Sequence, residues 1–431
     1  RIMMFVKKIF SFKISLIIIW FTFFFSINLN PAEFLSYNLI NQIRLILPLF
    51  ICILLFAANL KKFKFNYHKV FPIYFYKIFF SYIFFTLLNQ ENSNINIFWP
   101  LYMFLSFLFI HKFNSLEDRI MLTKFSIIII ISITILFLFT TFFDMYDRKY
   151  YHFYGLVRET LIYAGNESPP KPTGLSRLSL ICFIFFLLNY FLNKRFKNYF
   201  LLFLILFFAL SALLFQSRTN NFIFVFINLF LCIFYFKKYF FDRRLIIFSF
   251  IFPILMNMTY THIIAGKYIG ESNDVFVTFK NSIIRDQPIW DQNMTQKQKI
   301  HRFSSGRFTD WENAFNLIKK NPIKGYGAQS DRLILKQSIH NSFLYSTLSG
   351  GIIASISLIL LYLYSIKILI NFYFNRKNFY KHDNILHFCA VILIVIFLRS
   401  IFETSFSVFS IDYLLYIILF LTLEKAFSAK N

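Results

Sequence analysis

Residues 338–343 read SIHNSF and sit where a long polar stretch gives way to an apolar run. A histidine there is a candidate general base, since its unperturbed pKa of about 6.5 leaves a neutral, basic form available near neutrality. Asn341 beside it is suited to capping the following helix, or to orienting a substrate. Ahead of His340 lies SSGRFTDWENAFNLIKKNPIKGYG (304–327), in which Arg307 directly precedes an amphipathic pattern. A guanidinium beside a helix N-terminus is a combination suited to phosphate. Further arginines stand near the ends of apolar runs: Arg177 in KPTGLSRLSL, Arg218 in LFQSRTNNF, Arg44, and Arg399 with Glu403 four residues beyond it. Taken singly, each is an interfacial side chain that snorkels to the headgroups, and Arg399 and Glu403 are spaced to pair with each other. Together they suggest a shared anionic site, which arginine suits because it stays charged and grips phosphate oxygens bidentately.

The elements that must position these residues are membrane helices. Of 431 residues, 58% are hydrophobic, 22% aromatic and only 15% charged, against roughly 25% charged in soluble domains. Apolar segments of spanning length fall near 9–28, 42–60, 70–89, 94–111, 120–143, 176–192, 198–216, 220–236, 244–260, 340–370, 384–402 and 405–423. The expectation is an all-α polytopic membrane protein of about twelve transmembrane helices. The first apolar run is read as an anchor, because further spans follow it without a small-residue cleavage site. Clusters such as Lys61, Lys62 and Lys64, or Arg376 and Lys377, mark alternate connections as cytoplasmic, while the short connections 29–41, 90–93 and 403–404 lack Lys and Arg. Both termini are therefore expected in the cytoplasm, with the connections 144–175 and 261–339 outside. Three regions result: spans one to nine over 1–260, a large external loop over 261–339, and spans ten to twelve over 340–431.

That loop carries twelve Lys or Arg against seven Asp or Glu. Its length argues for a partly folded, functional segment. Trp311, Ala314, Phe315 and Ile318 form a helical stripe, and Thr309 with Glu312 fits a capping box, so a helix is expected from about Thr309 to just before Pro322. Gly325 and Gly327 then permit a tight turn. The four cysteines lie singly in apolar runs and read as core residues rather than as a disulfide framework or a zinc site.

The order SR (217–218), SGR…W (305–311), NPIKGYG (321–327) and HNSF running to GG (340–351) resembles the O-antigen ligase and O-antigen polymerase superfamily of bacterial inner-membrane glycosyltransferases. The likeness extends from Arg177 to Gly351. It implies a GT-C-like plan with one large periplasmic loop before the tenth span. It also implies transfer of a glycan from undecaprenyl pyrophosphate to a hydroxyl. The acceptor is lipid A–core in ligases, another lipid-linked repeat in polymerases, and a protein hydroxyl in O-oligosaccharyltransferases; all three stay open. By this resemblance His340 matches the base, Arg218 and Arg307 match pyrophosphate-binding arginines, and Arg177 is a weaker match. Trp311, Gly325 and Gly327 belong to the motif framework. The expected chemistry is an inverting displacement with no cofactor and no metal, since the external loops lack a tight carboxylate cluster. The expected partners are the lipid-linked glycan, the hydroxyl acceptor and the bilayer, with no nucleic acid. A polysaccharide transporter or flippase is the alternative of another class, disfavoured because the charges gather at one face instead of the bilayer centre.

Overall fold

The computed structural model describes residues 46, 70–89, 94–111, 115–147, 172–192, 199–215, 217–235, 247–256, 306–375 and 383–428. Among them the regular structure is helical, and no strand occurs. The helices are α1 (Val70–Leu88), α2 (Phe98–His111), α3 (Leu116–Asp147), α4 (Pro172–Leu192), α5 (Tyr199–Leu214), α6 (Arg218–Tyr235) and α7 (Ile247–Met256). After the loop region come α8 (Arg307–Lys320), the single turn α9 (Ser330–Ile334), α10 (Ser342–Asn375), α11 (Asp383–Phe402) and α12 (Ile411–Ser428). Helices therefore occupy ten of the twelve apolar segments. The segments 9–28 and 42–60 fall outside the described residues, apart from Ile46, as do most of 144–175 and the loop as far as residue 305.

Among the described residues, four helices are long and apolar enough to cross a membrane: Leu116–Phe139, Thr173–Leu192, Ser342–Phe374 and Asn384–Phe402. Their exposed faces fit that solvent. The exposed large side chains on α10 include Ile352, Ile356, Ile359, Leu363, Ile366 and Ile370, a stripe at alternating steps of four and three. Such a stripe on a helix whose other side is packed has lipid as its natural partner.

Two compact units divide the described residues, one drawn from Arg44–Ser126 and Asp291–Asn431, the other from Ile127–Trp290. In the first, α12 is the central helix. Ile411 through Leu423 is almost wholly buried, as expected of a helix that is apolar all round. Phe75, Phe79 and Phe107 stack beside Tyr413 and Tyr416. At the other end of α12, the Arg119 guanidinium donates to the Leu421 carbonyl, and Thr123 and Thr422 share a hydrogen bond of 3.1 Å. Helices α1 and α10 pack closely because Gly350 has no side chain. A Cβ there would lie 2.7 Å from both Ser81 Oγ and the Tyr82 ring.

In the second unit, α4 packs against α5 through Phe186 and Phe208, stacked at 5.5 Å, and through a Ser176 hydroxyl donated to the Ala212 carbonyl at 2.7 Å. Asn220 at the start of α6 donates to the Thr173 carbonyl at the start of α4, 3.1 Å away. Of the cysteines, Cys182 and Cys389 are buried and Cys232 is partly so; Cys52 lies outside the described residues.

Three local expectations change. The loop helix starts at Arg307 rather than near Thr309. Its cap is Gly306 at φ 83°, with no side-chain cap bond, so the Thr309–Glu312 capping box does not form. Phe315 is exposed beneath Lys319, and Leu317 joins Trp311, Ala314 and Ile318 in the packed face. Finally, the span expected over 340–370 is not one continuous helix. Gly351, at φ 64° and ψ −163°, breaks α10 in its first third.

Candidate active site

The break in α10 is where the loop docks. An interrupted helix leaves carbonyls and amides without partners, and these need satisfying when buried. The NPIKGYG turn supplies them. The Tyr326 amide donates to the Leu348 carbonyl at 2.7 Å, the Gly327 amide donates to Ser349 at 2.9 Å, and the Ile352 amide donates to the Ile323 carbonyl at 3.4 Å. The approach requires glycine on both sides. A Cβ on Gly325 would lie 2.3 Å from the Ser349 carbonyl oxygen, and one on Gly351 would lie 2.3 Å from that of Ile323. Gly327, at φ 88°, makes the turn itself. Helix α1 grips the same turn, with Asn89 donating to the Tyr326 carbonyl and the Ala328 amide to Thr86. Tyr326 also reaches back along α8, its hydroxyl donating to the Leu317 carbonyl.

Against this platform α8 lies on the first turns of α10, over a small core of Ala314, Ile339 and Leu348. Its orientation puts Arg307, the first residue of α8, next to the end of α11. There the Arg307 guanidinium donates to Glu403 Oε1 at 2.8 Å. Glu403 Oε2 lies 2.8 Å from His340 Nδ1. One carboxylate thus joins the loop arginine to the histidine.

The backbone around His340 is fixed on both sides. The indole of Trp311 donates to the Ile339 carbonyl at 2.7 Å. His340 itself is left-handed at φ 52°, a conformation that costs a non-glycine residue energy and persists where surrounding contacts enforce it. Asn341 then starts α10. Its side-chain oxygen accepts from the Phe343 and Leu344 amides at 2.9 and 3.0 Å, a standard helix cap. Its amide group donates to the Ile401 carbonyl at the end of α11, and Ser342 donates to the Glu403 carbonyl. The start of α10 and the end of α11 are thereby tied at the point where His340 meets Glu403.

Burial tends to raise the Glu403 carboxyl. The His340 hydrogen bond and the charges of Arg399, His340 and Arg307 outweigh it and hold the group down at about 2. Glu403 is therefore an anion at neutral pH. Arg399, which the sequence spaced to pair with Glu403, instead donates to Asp412 at 3.0 Å, and Ser405 donates to the same oxygen. Arg399 acts on Glu403 through its charge. The chemistry available is a histidine oriented by a carboxylate, its side chain 38% exposed, with a guanidinium on the far oxygen of the same carboxylate.

Residues 201–359 match the family model described as O-antigen ligase. Over this segment the chain is similar to the O-antigen ligase family. No curated protein and no solved structure matches the chain. The matched segment holds Arg218, Arg307, Trp311, Gly325, Gly327, His340 and Asn341, while Arg177, Arg399 and Glu403 lie outside it.

Of the residues singled out from sequence, the ligase-family segment brings together Arg307, Trp311, His340 and Asn341, and Glu403 joins them from α11. Arg177, on the second turn of α4, and Arg218, the first residue of α6, belong to the second unit. Sequence reading missed Asp331 and Asp412. It saw Glu403 only as a neighbour of Arg399, because helical spacing advertises partners on the same helix and not the histidine 63 residues away.

Proposed function

We propose that this protein is a membrane glycosyltransferase that moves a glycan from undecaprenyl pyrophosphate to a hydroxyl of lipid A–core at the periplasmic face, with His340 as the base. The observation that carries this reading is the shared carboxylate: His340 and Arg307, the residues expected to handle the proton and the phosphate, meet on Glu403.

A carboxylate on Nδ1 selects the tautomer that carries its proton there, which leaves the Nε2 lone pair to accept one. In the proposed step Nε2 takes the acceptor hydroxyl's proton as that oxygen bonds the anomeric carbon. The bond from that carbon to the phosphate oxygen breaks on the opposite face, and its electron pair leaves with the pyrophosphate. The anomeric configuration inverts. Arg307 neutralises the departing charge. Fixed cationic donors are effective there because they need no reorganisation as charge develops. As the imidazole becomes imidazolium, its attraction to Glu403 grows, so that contact favours the transition state over the ground state. No metal enters the step.

The test is deletion of the gene followed by gel analysis of lipopolysaccharide, with complementation by wild type and by His340→Ala. The proposal expects no polymer on lipid A–core in the deletion and in the His340→Ala strain, and polymer held on the lipid carrier. A single repeat left on core would instead identify a polymerase. An unchanged profile would remove the glycosyltransferase reading from this pathway.

A further inference from the structure

We infer that Asp331 is a positioning residue for His340, holding the backbone from which the imidazole reaches Glu403; this rests on the reading of His340 as the base. Asp331 lies in the single turn of α9 and is 2% exposed. Its two oxygens serve the chain on both sides of the segment that leads to His340. Oδ1 accepts from the Arg332 amide at 2.9 Å, and Oδ2 accepts from the Ile339 amide at 3.3 Å. The carboxylate therefore closes the loop from 331 to 339. The Ile339 carbonyl accepts from Trp311 on α8, so both polar groups of the residue before His340 are held, from two different elements.

The intervening chain needs such holding. Lys336 and His340 both adopt left-handed backbone, at φ 59° and 52°, within a stretch that has no regular structure between Leu335 and Asn341. Strained backbone of this kind relaxes unless neighbouring contacts over-determine it. Ile339 is fully buried in the core formed with Ala314 and Leu348, which fixes its side chain. The Asp331 and Trp311 bonds fix the rotation of its backbone, and that rotation sets the direction in which His340 leaves the chain.

A buried carboxylate is a costly way to hold two amides. Burial raises the Asp331 carboxyl above its ordinary range, and the amide bonds and the Arg332 charge offset that only in part. A carboxyl raised in the folded state binds its proton longer than in the unfolded chain, so stability falls as pH rises through that window. Ionised Asp331 thus works against the fold at neutral pH, while its geometry serves the histidine.

The two contributions separate in Asp331→Asn. The amide oxygen can accept from only one of the two backbone amides, so the clamp is halved while the buried charge is removed. The purified full-length protein is assayed with lipid-linked glycan and a hydroxyl acceptor, beside Trp311→Phe, which keeps an aromatic ring and loses the indole donor. Misplacing a reacting group by about 1 Å costs up to about 100-fold in rate. The expected result for each variant is a kcat lowered about tenfold or more, a donor KM within about twofold of wild type, and, for Asp331→Asn, an unfolding midpoint unchanged or raised. Wild-type kcat in both variants, alongside loss of transfer in His340→Ala, overturns this inference and leaves the base intact. A rate loss matched by a lowered midpoint and a raised KM in both variants assigns Asp331 to the fold alone and overturns it too. Full transfer in His340→Ala removes the reading on which it stands.

Discussion

Replacing Glu403 with Gln tests the centre of the site, and its size follows from the electrostatics. The carboxyl is held at about 2 against an ordinary 4.5, a difference worth about 3 kcal/mol at about 1.4 kcal/mol for each tenfold step. That sum includes attraction to a charged imidazole. The His340 hydrogen bond and the charges of Arg399 and Arg307 act already in the resting site. Only the attraction between the Glu403 and His340 charges grows when His340 gains the acceptor's proton, so only that share falls on the transition state. Glutamine removes the charge and, having one carbonyl oxygen, can accept from His340 or from Arg307 but not from both. The expected result is a kcat lowered about tenfold or more, with donor KM unchanged or reduced, because Arg307 loses its competing carboxylate. The assay is transfer from lipid-linked glycan in detergent, followed by band shift of the acceptor on a gel. Thermal unfolding gives a second readout. A depressed carboxyl contributes stability above its unfolded pKa, and this stability is lost as pH falls through the folded value. Wild type should therefore lose more of its unfolding midpoint than Glu403→Gln between about pH 4.5 and about pH 2. A Glu403→Gln enzyme with wild-type kcat at neutral pH would refute the argument that this carboxylate orients and stabilises the base.

Other substitutions probe the surrounding parts. Arg307→Gln should raise donor KM by about tenfold or more, and Arg307→Lys should recover only part of this, since a point charge replaces a planar fork; the same transfer assay reads both. Asn341→Ala removes the cap from two amides and the bond to Ile401, so thermal unfolding should show about 1–2 kcal/mol of destabilisation. Gly351→Ala should be the most damaging to the fold: a Cβ would sit 2.3 Å from the Ile323 carbonyl oxygen at a backbone conformation reserved for glycine. Its expected signature is loss of monodisperse protein after detergent extraction.

The histidine was legible because its chemistry and its neighbours in sequence lie in one short run. Its partner was not, because Glu403 arrives from another helix and carried a plausible local alternative in Arg399. That alternative failed for a reason visible only in three dimensions: Asp412, at the start of α12, reaches Arg399 first. The capping box failed similarly. Thr309 and Glu312 have the right spacing, but Gly306 in left-handed geometry caps the helix, which makes Arg307 its first residue and leaves Thr309 inside it. The length of the apolar runs found the membrane helices, since a helix buried in a bundle or facing lipid is apolar all round. It did not find the break at Gly351, because the glycine pair lies inside an apolar run that reads as one span from 340 to 370.

The break also fixes where the site lies along α10. The helix from Ser342 to Phe374 has 33 residues, about 50 Å at 1.5 Å per residue, well beyond a hydrocarbon core of about 30 Å. The part after Gly351 alone is about 35 Å long, which suits a modestly tilted span. The exposed apolar stripe begins at Ile352 and Ile353, and no large apolar residue from Ser342 to Gly350 is similarly exposed. Lipid contact therefore starts where the break ends. The turn docked there exposes Ile323 beside an exposed Lys324, an apolar and a cationic side chain together, as a headgroup boundary requires. The nine residues before Gly351 then carry the helix start about 13 Å along its axis from that boundary, with His340 two residues further back. Under the proposed function, a polyprenyl donor would present its phosphates in this layer and its sugar beyond them. On that proposal the break in α10 separates the part of the helix suited to lipid from the part that would meet the reacting bond.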